Sequence, residues 1–532
     1  MADIAVRLRS LGPTIERLMS IAGTPGVSIG VSIKDKPVYY ENHGYRNVEQ
    51  NLPITEDTIF PLCSLTKAFT AAAIGLLVDD EKLSWDSLIK DVLPSFNSTD
   101  PILHNYTTLT DILSHRTGMG WGDNLILGTD GNVLLKSEDV MKYINNRPLI
   151  GPFRAQFGYN NLHYELAGRI IEHVSGQSYS EFVQSRLLKP LGLNRTSFKT
   201  PSKGTEGVAV CYNTLDDVSV APINCPRMGD DWYGAASGGA RSSVKDLVKL
   251  YGSYMEGFNN EFDGDTSSSK ESTFKQLTHI MSGKIPFDQP SQFEASYGFG
   301  WGRVQLPGRL GQIGINPGLL PEGMPIIGKG TSKLVLFHQG SLPGSLTFVA
   351  LLPEIETAVV VLTNSLALND AADWIGQLII EELLEVSSDL KNDFVTLAEV
   401  AVAQNLKWYT WVLDELEKGQ KSGTSPKALE EYVGTYWDDL HVVKIEVILS
   451  NKKLYWLIQG LESEKFALKH YQDDVFTWLQ PRNDLSKRGR WVGSDQDAAF
   501  WKVEFKANES GQIDKLVWAH DGGVPPVTYK KV

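Results

Sequence analysis

The chain has 532 residues, 42% apolar and 21% charged, which is enough apolar material for a large core and more length than one core usually fills. A formal net charge of −14 argues against a nucleic-acid partner, and no apolar run reaches the roughly 20 residues needed to span a bilayer. The three cysteines, Cys63, Cys211 and Cys225, lack metal-ligand spacing. Together with an N-terminus lacking a secretory pattern, they predict reduced thiols and a cytoplasmic protein.

The opening residues read as an amphipathic helix, and GVSIGVSIKDKPVYYENHGYRNV alternates around Asp35 and Lys36 as a hairpin does. Next comes IFPLCSLTKAFTAAAIGLLVDD, residues 59–80. From Ala68 to Val78 only Thr70 interrupts a helix apolar on all sides, which belongs inside a protein. Ser64 and Lys67 stand three apart at its entrance, on one face. Two readings fit. Ser64 is a helix cap and Lys67 a solvated lysine; or a desolvated Lys67 has its pKa lowered enough to take a proton from a nucleophilic Ser64. Spacing does not choose, because Ser87/Lys90, Ser242/Lys245, Ser267/Lys270 and Ser388/Lys391 repeat it. Cys63, inside the apolar run, reads as a small buried filler.

Residues 80–255 look helical and loop-like, 255–273 a Gly/Ser/Asp-rich mobile loop, and the apolar, Gly/Pro-dense 306–330 a substrate-covering loop. Strands return at KLVLFHQG, LTFVALLP and TAVVVLTN, and an apolar helix at 367–386. The predicted fold is α+β: an antiparallel sheet flanked by helices, with an inserted helical subdomain and a cleft at the junction. The domains are 1–386 catalytic, 387–427 helix and linker, and 428–532 an aromatic-rich all-β barrel or sandwich.

Acyl transfer needs a base, oxyanion donors and a proton for the leaving group. Tyr159 and Asn161 precede a helix; Tyr159 serves as a base only if Lys67 and its neighbours lower its pKa, and Asn161 could donate to a substrate carbonyl. Their bland alternative is capping and packing. His338 closes a strand, Gly340 allows close backbone approach, and Ser341 starts the return. A histidine at a strand end is as readily structural, and His520-Asp521-Gly522 repeats the pattern.

Taken in order, Ser-x-x-Lys, Tyr-x-Asn and His-x-Gly, with LSHRTGM (113–119), ASGGARSSVKDL (236–247), YGFGW (297–301) and VVVLTN (359–364), make residues 8–385 resemble the serine β-lactamase-like family: class C β-lactamases, D-Ala-D-Ala carboxypeptidases, and related esterases and transesterases. The tail resembles the lipocalin-like domain of some members. The resemblance implies Ser64 as acylated nucleophile, Lys67 assisting its deprotonation, Tyr159 as general base and later proton donor, and Asn161 orienting substrate. It implies an oxyanion hole from the backbone N–H groups of Ser64 and Ser341, and no metal or cofactor. His338 and Gln339 stand where β-lactamases carry lysine and threonine, which weakens recognition of a substrate carboxylate.

The expected activity is therefore a serine hydrolase or acyltransferase working through an acyl-Ser64 ester. Its expected substrate is an ester or thioester of a small, largely hydrophobic secondary metabolite, with Trp121, Trp232 and Tyr233 near the cleft. A D-amino-acid amidase or peptidase, a β-lactamase, and an inactive binding relative are the alternatives. The expected partner is a small acyl substrate, and self-association into a homo-oligomer is left open.

Overall fold

The computed structural model describes residues 4–201, 205–265, 271–287 and 291–532. A nine-stranded antiparallel sheet forms the centre. Its order is Leu52–Pro53, Tyr39–Asn47, Gly26–Ile33, Thr357–Thr363, Ser345–Leu352, Leu334–Leu342, Gly302–Gln305, Ala295–Tyr297 and Ile285–Pro286. The hairpin around Asp35 and the three late strands thus meet in one sheet, with Val27 opposite Thr363. Between them the chain makes the helical subdomain.

Side chains alternate across a strand, so each central strand feeds two cores. Val359 and Val361 join Val27 and Ile29 under the helices Gly12–Ala22, Ala371–Leu383 and Phe394–Asn405. Ala358, Val360 and Leu362 face the opposite core, which holds the Thr66–Asp79 and Val244–Phe262 helices. Burial on both faces explains why these strands read as unbroken apolar runs. Part of the 306–330 stretch differs from its expected role. Leu306, Leu310, Met324 and Ile327 are buried in the core beside the Ala371–Leu383 helix, whereas Gly314, Ile315, Gly318 and Leu319 line a cavity shared with Trp491 and Asp495. The expected loop at 255–273 begins as helix, since Val244–Phe262 runs into it, and residues 266–270 lie outside the described residues.

Two helices, Phe394–Asn405 and Trp408–Gly419, lead to a closed eight-stranded barrel in simple chain order, from Gly434–Asp438 to Val527–Lys531, sealed by Tyr436 opposite Lys531. Trp456, Trp478, Trp501 and Trp518 are buried and in mutual ring contact, the closest pair with centroids 4.4 Å apart. An eight-stranded barrel has an interior just wide enough for side chains of this size.

The barrel grips residues 121–132 of the catalytic domain. Trp121 Nε1 donates to Gly522 O at 2.8 Å, Asn124 N to Asp521 Oδ1 at 3.2 Å, and Thr129 N to Glu464 Oε1 at 2.6 Å. Arg490, fully buried, donates to Asn124 O at 2.8 Å and lies 3.8 Å from Glu464. The second His-x-Gly of the sequence, His520 to Gly522, is therefore part of this docking surface.

Candidate active site

Ser64 sits on a one-turn 3-10 segment, Cys63–Leu65, that runs directly into the Thr66–Asp79 helix. Cys63 adopts φ 53°, a left-handed conformation that costs a non-glycine residue about 1–3 kcal/mol and marks functional turns. Burial pushes the Cys63 thiol well above its ordinary value, so this thiol is inert filler. Ser64 caps nothing through its side chain. Its hydroxyl oxygen instead accepts from Lys67 and Tyr159.

Lys67 is fully buried. Its Nζ lies 3.0 Å from Ser64 Oγ, 2.7 Å from Asn161 Oδ1 and 2.8 Å from the Ser237 carbonyl oxygen. Desolvation lowers its pKa to about 7, with Asp123 pulling the other way. The other described Ser-x-x-Lys lysines are spent elsewhere: Lys90 on Asn105, Lys245 on Asp57 and Lys391 on Glu382. Ser267 and Lys270 lie outside the described residues.

Tyr159 donates to Ser64 Oγ at 2.7 Å. The lowering that a basic phenol requires is not found: burial raises its pKa, against a smaller opposing effect of the Ser64 bond. Its ring rests on His115, centroids 4.5 Å apart. His115 Nδ1 in turn accepts from Asn160 N at 3.1 Å. The cap of the Asn161–Ser175 helix is Asn160, whose side chain accepts from Leu162 N, which leaves Asn161 free to reach inward. Asn161 bridges two groups, accepting from Lys67 and donating to Asp123 Oδ2 at 2.7 Å.

His338 occupies the interior of the Leu334–Leu342 strand and does not close it, because pairing with Ser345–Leu352 continues to Leu342. Its ring is buried, with Nε2 3.0 Å from Tyr297 OH and Nδ1 2.5 Å from the Gln339 carbonyl oxygen. Desolvation and Lys67 hold its pKa down to about 3, so the imidazole is neutral. Expected as a substrate contact, it does not line the cavity beside Ser64. Gly340 is the point of closest approach. A Cβ there would sit 2.7 Å from Leu62 O and 2.8 Å from Cys63 Cβ, so only glycine lets this strand lie against the Ser64 turn. On the Gly302–Gln305 side, strand pairing ends at Phe337, and that leaves the distal end facing the turn.

The cavity of about 140 Å³ beside Ser64 is lined by Asn161, Ser237, Ser341 and Leu342, and by Trp121, Asp123, Trp491 and Asp495. Trp121 thus meets its expectation. Tyr233 lies behind, its OH 3.4 Å from Asp123 Oδ1, and Trp232 is 38% exposed outside the lining. The sequence reading missed Asp123, Trp491 and Asp495. Asp123 carried no motif, and the other two belong to the barrel, more than 400 residues from Ser64 in the chain. Burial pushes the Asp123 carboxyl up to about 6. Among the described residues, no group of three His, Cys, Asp or Glu side chains is placed to hold a metal, and no helix is long and apolar enough to cross a membrane.

A family model described as Beta-lactamase matches residues 13–381, more than half of the chain. The chain belongs to the β-lactamase family. The relatives of this β-lactamase-family chain include an unguisins hydrolase of Aspergillus campestris, 23% identical over 78% of this chain and 72% of that protein. A D-aminopeptidase of Gluconobacter oxydans is 23% identical over 54% of this chain and 50% of that protein. The octameric penicillin-binding protein homologue of Pyrococcus abyssi shares the fold, with TM-score 0.57 and 23% identity over 98% of this chain and 99% of that one. The class C β-lactamase of Rhodobacter sphaeroides aligns over 71% of this chain and 99% of its own, with TM-score 0.53 and 20% identity. Residues 418–528 match a domain of unknown function, DUF3471, which coincides with the barrel. This β-lactamase-family protein is accordingly a relative of serine hydrolases.

Proposed function

We propose that the protein is a serine hydrolase working through an acyl-Ser64 ester. The observation that supports this reading is the convergence on Ser64 Oγ of the Lys67 amine at 3.0 Å and the Tyr159 phenol at 2.7 Å. A neutral Lys67 spends its two N–H groups on Asn161 Oδ1 and Ser237 O, which leaves its lone pair for the Ser64 proton. Lys67, with its pKa near 7, is therefore the base, and Tyr159, kept protonated by burial, is the acid. Attack forms the Ser64 Oγ–carbon bond and moves the serine proton to Lys67. Backbone N–H groups of Ser64 and Ser341 hold the oxyanion. Tyr159 protonates the departing group and is reprotonated by Lys67. Water then hydrolyses the acyl-enzyme; an alcohol or amine acceptor gives acyl transfer.

A neutral His338 offers no fixed cation for a substrate carboxylate, which supports a small ester or thioester over penicillins and D-Ala-D-Ala peptides. Amide cleavage is the second reading, favoured by the relative named as a D-aminopeptidase. The free cysteines support a reducing, cytoplasmic setting, and the octameric homologue supports self-association. A fluorophosphonate probe is expected to label the full chain and not Ser64→Ala, and a nitrophenyl acyl ester to outpace D-Ala amide. Equal labelling of Ser64→Ala overturns the nucleophile. Faster amide turnover overturns the choice of bond.

A further inference from the structure

Cys211 and Cys225 lie together in the wall of a second cavity, of about 750 Å³, separate from the one beside Ser64. Cys211 begins the Cys211–Thr214 strand, where its partner on the Val220–Ile223 strand is Ile223. Cys225 follows two residues later, past the end of that ladder, so its side chain meets Cys211 without breaking a strand hydrogen bond. The segment that carries it is fixed on both sides. Asn224 Nδ2 donates to Asp130 Oδ1 at 2.7 Å, and Arg227 N to Gly131 O at 3.0 Å. The two thiols are hydrogen-bonded to each other, and the Arg241 side chain donates to the Cys225 sulfur. Arg241 is 5% exposed and also donates to Pro226 O at 3.4 Å, which keeps its guanidinium beside the thiol.

These surroundings differ from those of a filler thiol. Cys63 is fully buried, and burial raises it. At Cys225 the hydrogen bond from Cys211, followed by the charge of Arg241, outweighs burial and lowers the thiol below its ordinary value. Cys211 is raised, first by that same bond and then by burial, and keeps its proton. The thiolate is the nucleophilic form of cysteine, and a nearby guanidinium is one of the features that favours it. The charged residues that line the cavity are Arg46, Arg227 and Arg241 against Glu206, a balance that also favours a thiolate. Cys225 is partly exposed, so a small solute entering the cavity reaches it. A thiolate open to solvent and beside a second thiol is the arrangement in which a sulfenic acid, once formed, condenses to a disulfide.

We propose that Cys225 and Cys211 form a peroxide-reactive dithiol, in which Cys225 attacks the peroxide and Cys211 closes the resulting sulfenic acid to a disulfide. The chemistry is separate from that of Ser64 and stands whether or not Ser64 is a nucleophile. In the first step the Cys225 thiolate takes a hydroxyl from hydrogen peroxide: an S–O bond forms, the O–O bond breaks, and the departing hydroxide picks up a proton to become water. In the second, the Cys211 sulfur attacks the Cys225 sulfur: the S–S bond forms, the S–O bond breaks, and the Cys211 proton leaves with the hydroxyl as a second water. The two thiols give up two electrons and the peroxide accepts them. Hydrogen-bonded sulfurs need only a short further approach to reach the roughly 2.0 Å of a disulfide bond.

The test uses the full reduced chain and a small molar excess of hydrogen peroxide, read by thiol counting and non-reducing peptide mapping, neither of which depends on turnover. Free thiols are expected to fall from three to one, with a single bond inside the chain between Cys211 and Cys225 that dithiothreitol reverses. In Cys211→Ser, dimedone is expected to collect on Cys225, where the sulfenic acid now has no partner. In Cys225→Ser, the loss of thiol to peroxide is expected to slow at least about tenfold. Retention of all three thiols by the native chain overturns the proposal without any variant. So does a bond that involves Cys63 or joins two chains. Thiol loss in Cys225→Ser at the native rate overturns Cys225 as the attacking sulfur.

Discussion

Replacing Gly340 with alanine adds one methyl group where the structure has no space. The new Cβ would lie 2.3 Å from Thr347 Oγ1, 2.7 Å from Leu62 O and 2.8 Å from Cys63 Cβ. Thr347 can rotate away, though it would give up its 3.0 Å bond to Leu62 O. Leu62 O cannot, because it is backbone on the turn that presents Ser64. Relief to an ordinary contact needs a movement of about 0.7 Å between that turn and the Leu334–Leu342 strand. Overpacking of this size costs about 1–3 kcal/mol of stability. It also separates the Ser64 and Ser341 backbone N–H groups, and a misplaced oxyanion donor lowers turnover by roughly 10- to 100-fold. The assay is kcat/KM on a nitrophenyl ester alongside thermal unfolding. Gly252→Ala is the control: a Cβ there meets nothing within 4 Å in the Val244–Phe262 helix, so stability should rise by up to about 1 kcal/mol with turnover intact. Native turnover in Gly340→Ala would refute the argument that close approach of this strand builds the site.

Three further outcomes are expected. The acylation rate should rise with pH through a midpoint near 7, because the active form of Lys67 is the neutral amine and its pKa is lowered to about 7; a flat profile from pH 5 to 9 would remove Lys67 as the base. Since Asp123 raises Lys67, Asp123→Asn should shift that midpoint to lower pH, and a shift upward would contradict the electrostatics. Glu464→Ala strands the buried Arg490 and removes the acceptor for Thr129 N, so chemical denaturation should show a loss of about 3–5 kcal/mol; a loss under about 1 kcal/mol would mean that the barrel contact contributes little.

The convergence of Ser64, Lys67 and Tyr159 was legible in the sequence because each member belongs to a local pattern. Ser64 and Lys67 share a helix face, and an unbroken apolar run announced the burial that lowers the lysine. Tyr159 was legible as a position, whereas the direction of its pKa was not, since that depends on His115 and other residues packed around it. His338 was read as the end of its strand because Gly340 looks like a break, whereas the strand in fact continues to Leu342. Asp495 and Trp491 were illegible for a different reason. They reach the cavity through docking of the barrel on residues 121–132, a tertiary event that leaves no period or spacing in the chain.

The four packed indoles at the heart of the barrel make it a solid body and not a vessel. It meets the catalytic domain through its rim, at Gln459 to Glu464, Arg482 to Gln496, and Asp521 to Gly522. Sequence drift confined to those three rim segments would reshape the wall of the cavity beside Ser64 while every strand beneath stayed the same, much as a lock is rekeyed without a new door.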